Sequence, residues 1–355
     1  MLIAFWNCLE PGEGERRMDL TLTQEQELIT EQARRVLTDL FPLEGLGKKY
    51  PEQQWRETAA ELGWFGISVP QSAGGAGYTL VEEVLVAQEM GRHLVPSGVL
   101  ANAIGAHAAF AADSAAALAN LLGGSSSCAL VFDEPIAAGG GDITRRAYCA
   151  ESAGYLLGLT VQGAWFCECW EAMGAGTTEC VDRDTAIWFG MLESLDVKHV
   201  PREQADLYSV LTLLVAAHAS GIALAVKEMA VNYAKEREQF GVPVGSFQAV
   251  RHPCALMAIR CEAAESQLYY AAAACAEGRP GAAWEARASR LIALDAAEFC
   301  CRVNIQVHGG IGITDEHPAH RFLKRVHLLQ CWLNGREGEL RYLLHQEYEE
   351  QYAEG

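Results

Sequence analysis

One short segment of the chain, Arg237 to Gln248, brings together side chains that suit a phosphate-bearing aromatic ligand. The planar guanidinium of Arg237 can donate two parallel hydrogen bonds to a pyrophosphate. Phe240 offers an aromatic surface, and the amide of Gln248 can both donate and accept hydrogen bonds. We therefore predict that this segment is a ligand-contacting turn between two helices.

A second segment, Gln306 to Pro318, is rich in glycine. Glycines at 309, 310 and 312 would let the backbone come close to a phosphate or a ribose. We expect them at the head of a helix, where free N–H groups attract anions. The sequence thus predicts a second contact segment for the same kind of ligand.

The second segment also carries His308, His317 and His320, together with Glu316. These side chains are of the types that bind transition metals. We nevertheless predict no metal site in the chain.

Predicted helices place both segments. Capping boxes at Thr23 and Thr79 open helices of the first third, and residues 99–122, which are rich in alanine, are expected to be helical as well. Between about residues 125 and 201 the apolar runs are short and separated by glycine, which is typical of strands. Long helices follow over 206–236, 247–277, 282–307 and 318–350, the last interrupted near Asn334 and Gly335, and they suggest an antiparallel four-helix bundle.

The predicted organisation is mainly α-helical and has four parts. These are an extension (1–17), an N-terminal helical domain (18–124), a small, shortened middle β-domain (125–201) and a C-terminal four-helix bundle (202–350).

Composition excludes several classes of protein. The 355 residues include 27 Lys and Arg against 46 Asp and Glu, a formal net charge of −19, which opposes nucleic-acid binding. We expect charged residues to interrupt every apolar run before 18 residues, and therefore expect no membrane span. The 12 cysteines lack zinc spacing and no secretory signal is evident, so we predict free thiols in the cytoplasm.

The two segments together, in this order, strongly resemble the C-terminal domain of the acyl-CoA dehydrogenase family. The resemblance implies an FAD-dependent oxidoreductase that introduces a double bond into an acyl-CoA thioester and passes electrons to an electron-transfer flavoprotein. It also implies an oligomer, because the matching family residues reach the FAD of a neighbouring subunit. In this chain they are Arg237, Gln239, Phe240, Gln248, Gln306, Gly309 and Gly310.

The chain departs from the family where the catalytic base is expected. Family members remove the α-proton with a glutamate, and the family's spacing from Gln306 arrives at Leu333. An alternative family position, counted back from Arg237, arrives at Leu211. Neither side chain can accept a proton.

The middle domain departs from the family as well. Family members usually carry a characteristic run of residues before the segment that covers the flavin ring. In this chain only Asp133-Glu134-Pro135 of that run is present, followed by the glycines 139–141 and Asp142. Trp165-Phe166-Cys167 and Trp170 occupy the broad region of the flavin-covering segment without matching it. Contacts to the chain's own FAD therefore look eroded, while contacts to a neighbour's FAD look intact.

Three hypotheses follow from this asymmetry. The chain is the base-lacking subunit of a heteromeric α₂β₂ acyl-CoA dehydrogenase; or it is self-sufficient, with Glu337 or Glu339 as a relocated base; or it is a non-catalytic scaffold of the same fold. A solvated charge on an acidic helix is the simpler interpretation of both glutamates. A basic cluster of Arg321, Lys324 and Arg325 is a candidate contact for the phosphates of CoA.

Overall fold

The computed structural model describes residues 20–43, 52–132, 145–148, 153–168, 177–190 and 195–352. The predicted extension lies outside the described residues. So do the segment from Asp133 to Asp142 and Trp170.

The first part of the chain is helical. The helices are α1 (Gln24–Leu40), α2 (Glu52–Glu61), α3 (Leu80–Arg92), α4 (Gly98–Ala111) and α5 (Ala115–Leu122). Both predicted capping boxes are present, at Thr23 and at Thr79. Residues 99–122 are helical as expected, in the two helices α4 and α5, with a turn between them at Asp113, whose φ is 51°. Asp tolerates this left-handed conformation better than most residues do.

The middle of the chain forms a seven-stranded sheet. Its strands are β1 (Ser127–Val131), β2 (Arg145–Tyr148), β3 (Ala153–Leu159), β4 (Gly163–Cys167), β5 (Thr177–Glu179), β6 (Ala186–Gly190) and β7 (Val197–Pro201). Their order in space is β5-β6-β2-β1-β3-β4-β7. The β1–β3 pair is parallel and the other pairs are antiparallel.

The C-terminal part is a helical bundle. It comprises α6 (Leu207–Glu236), α7 (Gln248–Ala276), α8 (Ala282–His308), α9 (Ala319–Gln330) and α10 (Gly335–Tyr352). A small hairpin, β8 (Glu238–Gln239) and β9 (Val242–Pro243), joins α6 to α7. The predicted fold class is confirmed: N-terminal helices, a small β-region and C-terminal helices whose fourth member is the broken pair α9–α10.

Helix α6 is the central element of the core. Residues 207–226 contain no Asp, Glu, Lys or Arg, so the expectation that charges interrupt every long apolar run is wrong. Among the described helices α6 is long and apolar enough to cross a membrane, but 94% of its apolar window is buried inside the fold. Its composition is that of a core helix enclosed by the rest of the chain.

Helix α3 packs directly on α6, backbone against backbone. A Cβ atom added at Gly91 would lie 2.0 Å from the carbonyl oxygen of His218, and one added at Gly221 would lie 1.9 Å from that of Gln88. One hydrophobic cluster therefore includes residues of the N-terminal helices, the sheet and the bundle. Nine of the 12 cysteines lie among the described residues, and all nine are free thiols.

Candidate functional site

The hairpin after α6 presents the first predicted contact segment to solvent. At its turn, Phe240 and Gly241 both have positive φ values, 56° and 81°, the combination found in tight type I′ hairpins. The N–H of Val244 donates to the carbonyl of Arg237 at 2.7 Å and closes the loop. The Phe240 side chain is 94% exposed and meets the ring of Phe247 edge to face, with centroids 6.2 Å apart.

The polar side chains of this segment are exposed as well. Arg237, Gln239 and Gln248 all lie at the surface, and Gln248 is the first residue of α7. Within the part of the chain that the structure describes, the guanidinium of Arg237 has no ion-pair partner. This end of the bundle therefore presents an exposed guanidinium, two amides and an exposed aromatic ring, which can contact a ligand that another molecule holds.

The glycine segment lies at the opposite end of a helix from the one expected. Gln306 is an exposed residue of the last turn of α8, and Gly309 ends that helix with a φ of 64°. The N–H of Gly309 donates to the carbonyls of Ile305 and Gln306. The expectation that these glycines lie at the head of a helix is therefore wrong. A helix C-terminus carries partial negative charge, so it does not attract phosphate. Neutral hydroxyl or base groups suit this backbone better.

The three glycines of the segment have different roles. At Gly309 and Gly310 an added Cβ atom would meet nothing within 4 Å, so the surface there is open. At Gly312 it would lie 2.9 Å from the carbonyl oxygen of Ile305. Gly312 is thus needed for packing against α8, and only the first two glycines leave room for a ligand.

Aromatic rings join the two contact segments. The N–H of Arg237 donates to the carbonyl of Tyr233, one helical turn earlier on α6. The ring of Tyr233 lies 4.2 Å from that of His308, the residue directly before Gly309. The structure therefore places the two segments side by side on one surface, which we call the hairpin–glycine surface (Arg237, Gln239, Phe240, Gln248, Gln306, Gly309 and Gly310).

The two positions matched to the family's base lie near each other. Leu211 is fully buried on α6, and Leu333 is 6% exposed in the turn between α9 and α10. Tyr208, one helical turn before Leu211, has its hydroxyl 3.4 Å from the backbone nitrogen of Asn334, the residue after Leu333. Both leucines belong to the same hydrophobic cluster, so neither position offers a group that could move a proton.

A buried ionic cluster lies beneath that turn. Glu339 is fully buried, and its carboxylate lies 3.0 Å from Arg287 and 3.5 Å from Arg290. The Tyr208 hydroxyl donates to Glu339 at 2.9 Å. Burial, reinforced by the negative charge of Glu339, raises the pKa of Tyr208. Burial lowers the pKa of Arg290 despite the attraction of Glu339.

The two candidate glutamates differ in environment. Glu337 is 91% exposed and lies 3.5 Å from Arg341, one turn along α10, so the interpretation as a solvated charge fits it. The same interpretation is wrong for Glu339, whose oxygens are held by two guanidiniums and a phenol. Spacing along α10 could not show this, since the partners come from α6 and α8.

Sequence reasoning missed the arginines of this cluster. Arg287 and Arg290 are three residues apart and lie on the same face of α8 as Ala286, Ala293 and Leu294, all of them buried. Two arginines on an apolar helix face are a signal for a buried acidic partner. Arg290 also donates to the backbone carbonyls of Leu329 and Trp332, at 3.3 and 2.8 Å, and so fixes the end of α9.

Two arginines of the basic cluster predicted to bind CoA phosphates are already engaged in ion pairs. Arg325 is buried and pairs with Asp182 while donating to the carbonyl of Val95. Arg321 lies 3.0 Å from Asp184. These contacts tie α9 to the segment between β5 and β6 and to the N-terminal helices. The expectation of a free phosphate-binding patch is therefore wrong for these two arginines, which are structural ion-pair partners.

The histidines of the glycine segment stack instead of converging on one point. The rings of His308 and His317 have centroids 4.3 Å apart. Within the described ranges, no group of three or more His, Cys, Asp or Glu side chains lies close enough together to hold a metal ion.

Comparison with known families decides the identity of the fold. The family model for the acyl-CoA dehydrogenase N-terminal domain matches residues 23–120, and the model for the C-terminal domain matches residues 211–342. The chain belongs to the acyl-CoA dehydrogenase family. Members of this family are flavoprotein oxidoreductases that act on CH–CH groups.

Individual relatives agree with this assignment. Acyl-CoA dehydrogenase IpdE2 of Mycobacterium tuberculosis is 33% identical over 280 residues, which cover 78% of this chain and 81% of IpdE2. Acyl-CoA dehydrogenase FadE34 of the same organism is 32% identical over 285 residues, but the match spans only 39% of that longer protein.

Solved structures share the fold. One is a chain of the ChsE4–ChsE5 complex from Mycobacterium tuberculosis, with a TM-score of 0.80 and 22% identity; the match covers 94% of this chain and 99% of that one. Another is butyryl-CoA dehydrogenase from Megasphaera elsdenii, with a TM-score of 0.77 and 21% identity; the match covers 93% and 100% of the two chains.

Proposed function

We propose that this chain takes part in the FAD-dependent α,β-dehydrogenation of an acyl-CoA thioester as a base-lacking subunit that completes the FAD site of a partner chain. The observation that carries the proposal is the pair Leu211 and Leu333. Both positions that match the family's base hold buried leucines, while the hairpin–glycine surface that matches the contacts to a neighbour's FAD is exposed.

The residues of the hairpin–glycine surface fit FAD held by another subunit. Arg237 would bind the pyrophosphate through its planar guanidinium, and Phe240 would cover an aromatic ring of the cofactor. Gln248, Gln239, Gln306 and the open backbone at Gly309 and Gly310 would bind ribose and base groups. FAD, when bound, supplies the acceptor for the hydride from the β-carbon, and the proton-accepting glutamate would belong to the partner.

The partner we propose is a homologous acyl-CoA dehydrogenase subunit. The ChsE4–ChsE5 structure is a complex of two chains, and one of them has the fold of this chain. The substrate class that we propose is a fatty or steroid-derived acyl-CoA, with an electron-transfer flavoprotein as the electron acceptor and the cytoplasm as the location.

Two alternatives make different predictions. A self-sufficient enzyme needs a relocated base, but Glu339 is engaged by Arg287, Arg290 and Tyr208, and Glu337 points into solvent. A scaffold without cofactor has no use for an exposed guanidinium beside an exposed aromatic ring. Both features favour the base-lacking subunit.

Co-expression tests the proposal. The chain is produced alone and together with the acyl-CoA dehydrogenase subunit encoded beside it, and flavin absorbance and acyl-CoA oxidation are measured after purification. We expect the single chain to be colourless and inactive, and the pair to be yellow and active. Stoichiometric FAD on the single chain would contradict the proposal, and a pair without flavin would favour the scaffold.

A further inference from the structure

Three aromatic rings, which we call the stack, lie in contact next to the hairpin–glycine surface. Tyr233 comes from the last turns of α6, His308 from the end of α8, and His317 from the turn before α9. The Tyr233 and His308 rings are tilted by 32° and the His308 and His317 rings by 38°, with His308 in the middle and only 6% exposed. The contact between Tyr233 and His308 thus links the turn at Arg237 to the backbone at Gly309, and His317 packs on His308.

Hydrogen bonds fix the protonation of the two imidazoles. Nδ1 of His308 lies 2.9 Å from the carbonyl oxygen of Asn304, so this nitrogen carries a proton. Nδ1 of His317 accepts the N–H of Ala319, the first residue of α9, at 3.2 Å. A nitrogen that accepts cannot carry a proton, and His317 is therefore neutral, with its proton on Nε2.

Three features of the fold oppose a second proton on His317. Protonation at Nδ1 would break the bond from Ala319. It would put a positive charge at the N-terminus of α9, where the helix dipole is also positive. The new positive charge would also be repelled by His308 and His320 whenever those imidazoles are protonated.

The other groups around His317 do not offset that charge. From α6 the stack meets the neutral phenol of Tyr233. Asp315 lies 3.6 Å from His320 and favours a positive charge on His320, not on His317. The cations of Lys324, Arg321 and Arg183 oppose that charge. Burial, followed by repulsion from His308 and His320, lowers the pKa of His317.

We propose that neutral His317 is a positioning residue for the FAD contacts of this chain, and that its protonation loosens the hairpin–glycine surface. The inference rests on the proposed function, because it assigns to the stack the task of holding Arg237 and Gly309 at a fixed separation. Acidification should then weaken the joint binding of FAD by the pair of subunits.

The first test uses the full chain alone. The imidazole signals of the chain are followed by NMR as the pH is lowered, with His317→Asn used to assign the signal of His317. We expect a midpoint below the ordinary histidine value of about 6.5. A midpoint at or above that value overturns the inference, and this result does not depend on FAD binding.

The second test uses the co-expressed pair. The affinity for FAD is measured between about pH 7.5 and about pH 5.5 for the wild type, His317→Phe, His317→Asn and the control His199→Phe. We expect the wild type and the control to lose affinity as the pH approaches the midpoint of His317 found in the first test, by up to about twofold at the midpoint itself. His317→Phe keeps a ring in the stack but cannot take a proton, so its affinity should stay constant.

The outcomes separate the inference from the function on which it rests. A normal FAD affinity with the wild-type pH dependence in His317→Phe contradicts the role of His317 alone. If His317→Phe does not assemble, His317→Asn carries the test, since its side-chain oxygen can still accept from Ala319 but does not titrate. A pair that binds no FAD at any pH contradicts the proposed function, and the role of His317 with it.

Discussion

Glu339 on α10 and Arg287 on α8 form an ion pair with 3.0 Å between oxygen and nitrogen, and neither side chain is more than 2% exposed. Arg290 shares the same carboxylate, so two guanidiniums are buried with one carboxylate. Arg290 also donates to two carbonyls at the end of α9, where partial negative charge accumulates. The turn that carries Leu333 is therefore held by a buried ionic network.

Glu339→Gln should destabilise the chain strongly. Removing one partner of a buried ion pair leaves an uncompensated charge and costs about 3–5 kcal/mol. The measurement is the free energy of unfolding in urea. The matched control is Glu337→Gln, two residues away and exposed, for which we expect a change within about 0.5 kcal/mol. If Glu339→Gln instead leaves stability unchanged and abolishes activity of the pair, Glu339 takes part in the chemistry and the proposal of a base-lacking chain is wrong.

Arg237→Lys should weaken FAD binding by the pair of subunits while leaving the chain's own stability unchanged. Lys retains the positive charge but lacks the planar fork that matches a pyrophosphate, so we expect about a tenfold loss of affinity or more. The measurement is FAD retention during gel filtration, with thermal unfolding of the single chain beside it. Arg341→Lys, an exposed residue of α10, is the control. Equal retention in both variants would show that Arg237 does not contact the cofactor.

Local sequence signals predicted the helices well. The capping boxes at Thr23 and Thr79 satisfy backbone groups within one turn, so they could be found without the fold. In the middle region the apolar runs predicted strands at 128–132, 155–161, 185–189 and 197–200, and strands β2, β4 and β5 were missed. In β4 nearly every residue from Gly163 to Cys167 is buried, and a strand buried on both faces shows no alternation of polar and apolar residues.

The surroundings of Leu333 depended on contacts between distant parts of the chain. The family's spacing from Gln306 leads to Leu333, in the turn between α9 and α10, but no spacing rule links Glu339 to Tyr208 or to Arg287. The same holds for Arg325. Its sequence context suggested a surface charge, but its ion-pair partner, Asp182, comes from the distant β-domain. Sequence motifs can therefore identify the candidate surface, but ion pairs between distant helices and strands can be found only in the folded structure.

An ion pair between a histidine and a buried glutamate makes the stability depend on pH. His107 on α4 lies 3.0 Å from Glu83 on α3, and Ser68 also donates to that carboxylate. Burial alone would lower the pKa of His107, but the charge of Glu83 and its hydrogen bond together raise it. Burial would raise the pKa of Glu83, but the charge and hydrogen bond of His107, with the bond from Ser68, lower it.

The pair should contribute most between the ordinary pKa values of its two members. Because the folded pKa of His107 is raised, its contribution is complete below about 6.5 and is lost as the pH rises through the folded value. Because the folded pKa of Glu83 is lowered, its contribution is complete above about 4.3 and is lost as the pH falls through the folded value. We expect His107→Gln to flatten the alkaline loss of stability, measured by urea unfolding at several pH values. The wild-type alkaline slope in this variant would refute the assignment, and His199→Gln, at an exposed position of β7, serves as its control.

Gly221→Ala should disrupt the contact between α3 and α6. The new methyl group would lie 1.9 Å from the carbonyl oxygen of Gln88 and 2.9 Å from the backbone nitrogen of Arg92, and backbone atoms cannot move aside as a flexible side chain could. Overpacking of this kind typically costs about 1–3 kcal/mol, against a gain in helix propensity of at most about 1 kcal/mol. The measurement is the free energy of unfolding, with Gly310→Ala as the control, because an added Cβ atom there meets nothing within 4 Å.

The same substitution should also affect the FAD contacts. Tyr208 and Leu211 lie at one end of α6 and Arg237 at the other, so a shift of this helix should reduce FAD retention by the pair as well. A Gly221→Ala chain as stable as the control would mean that α3 and α6 are not in backbone contact.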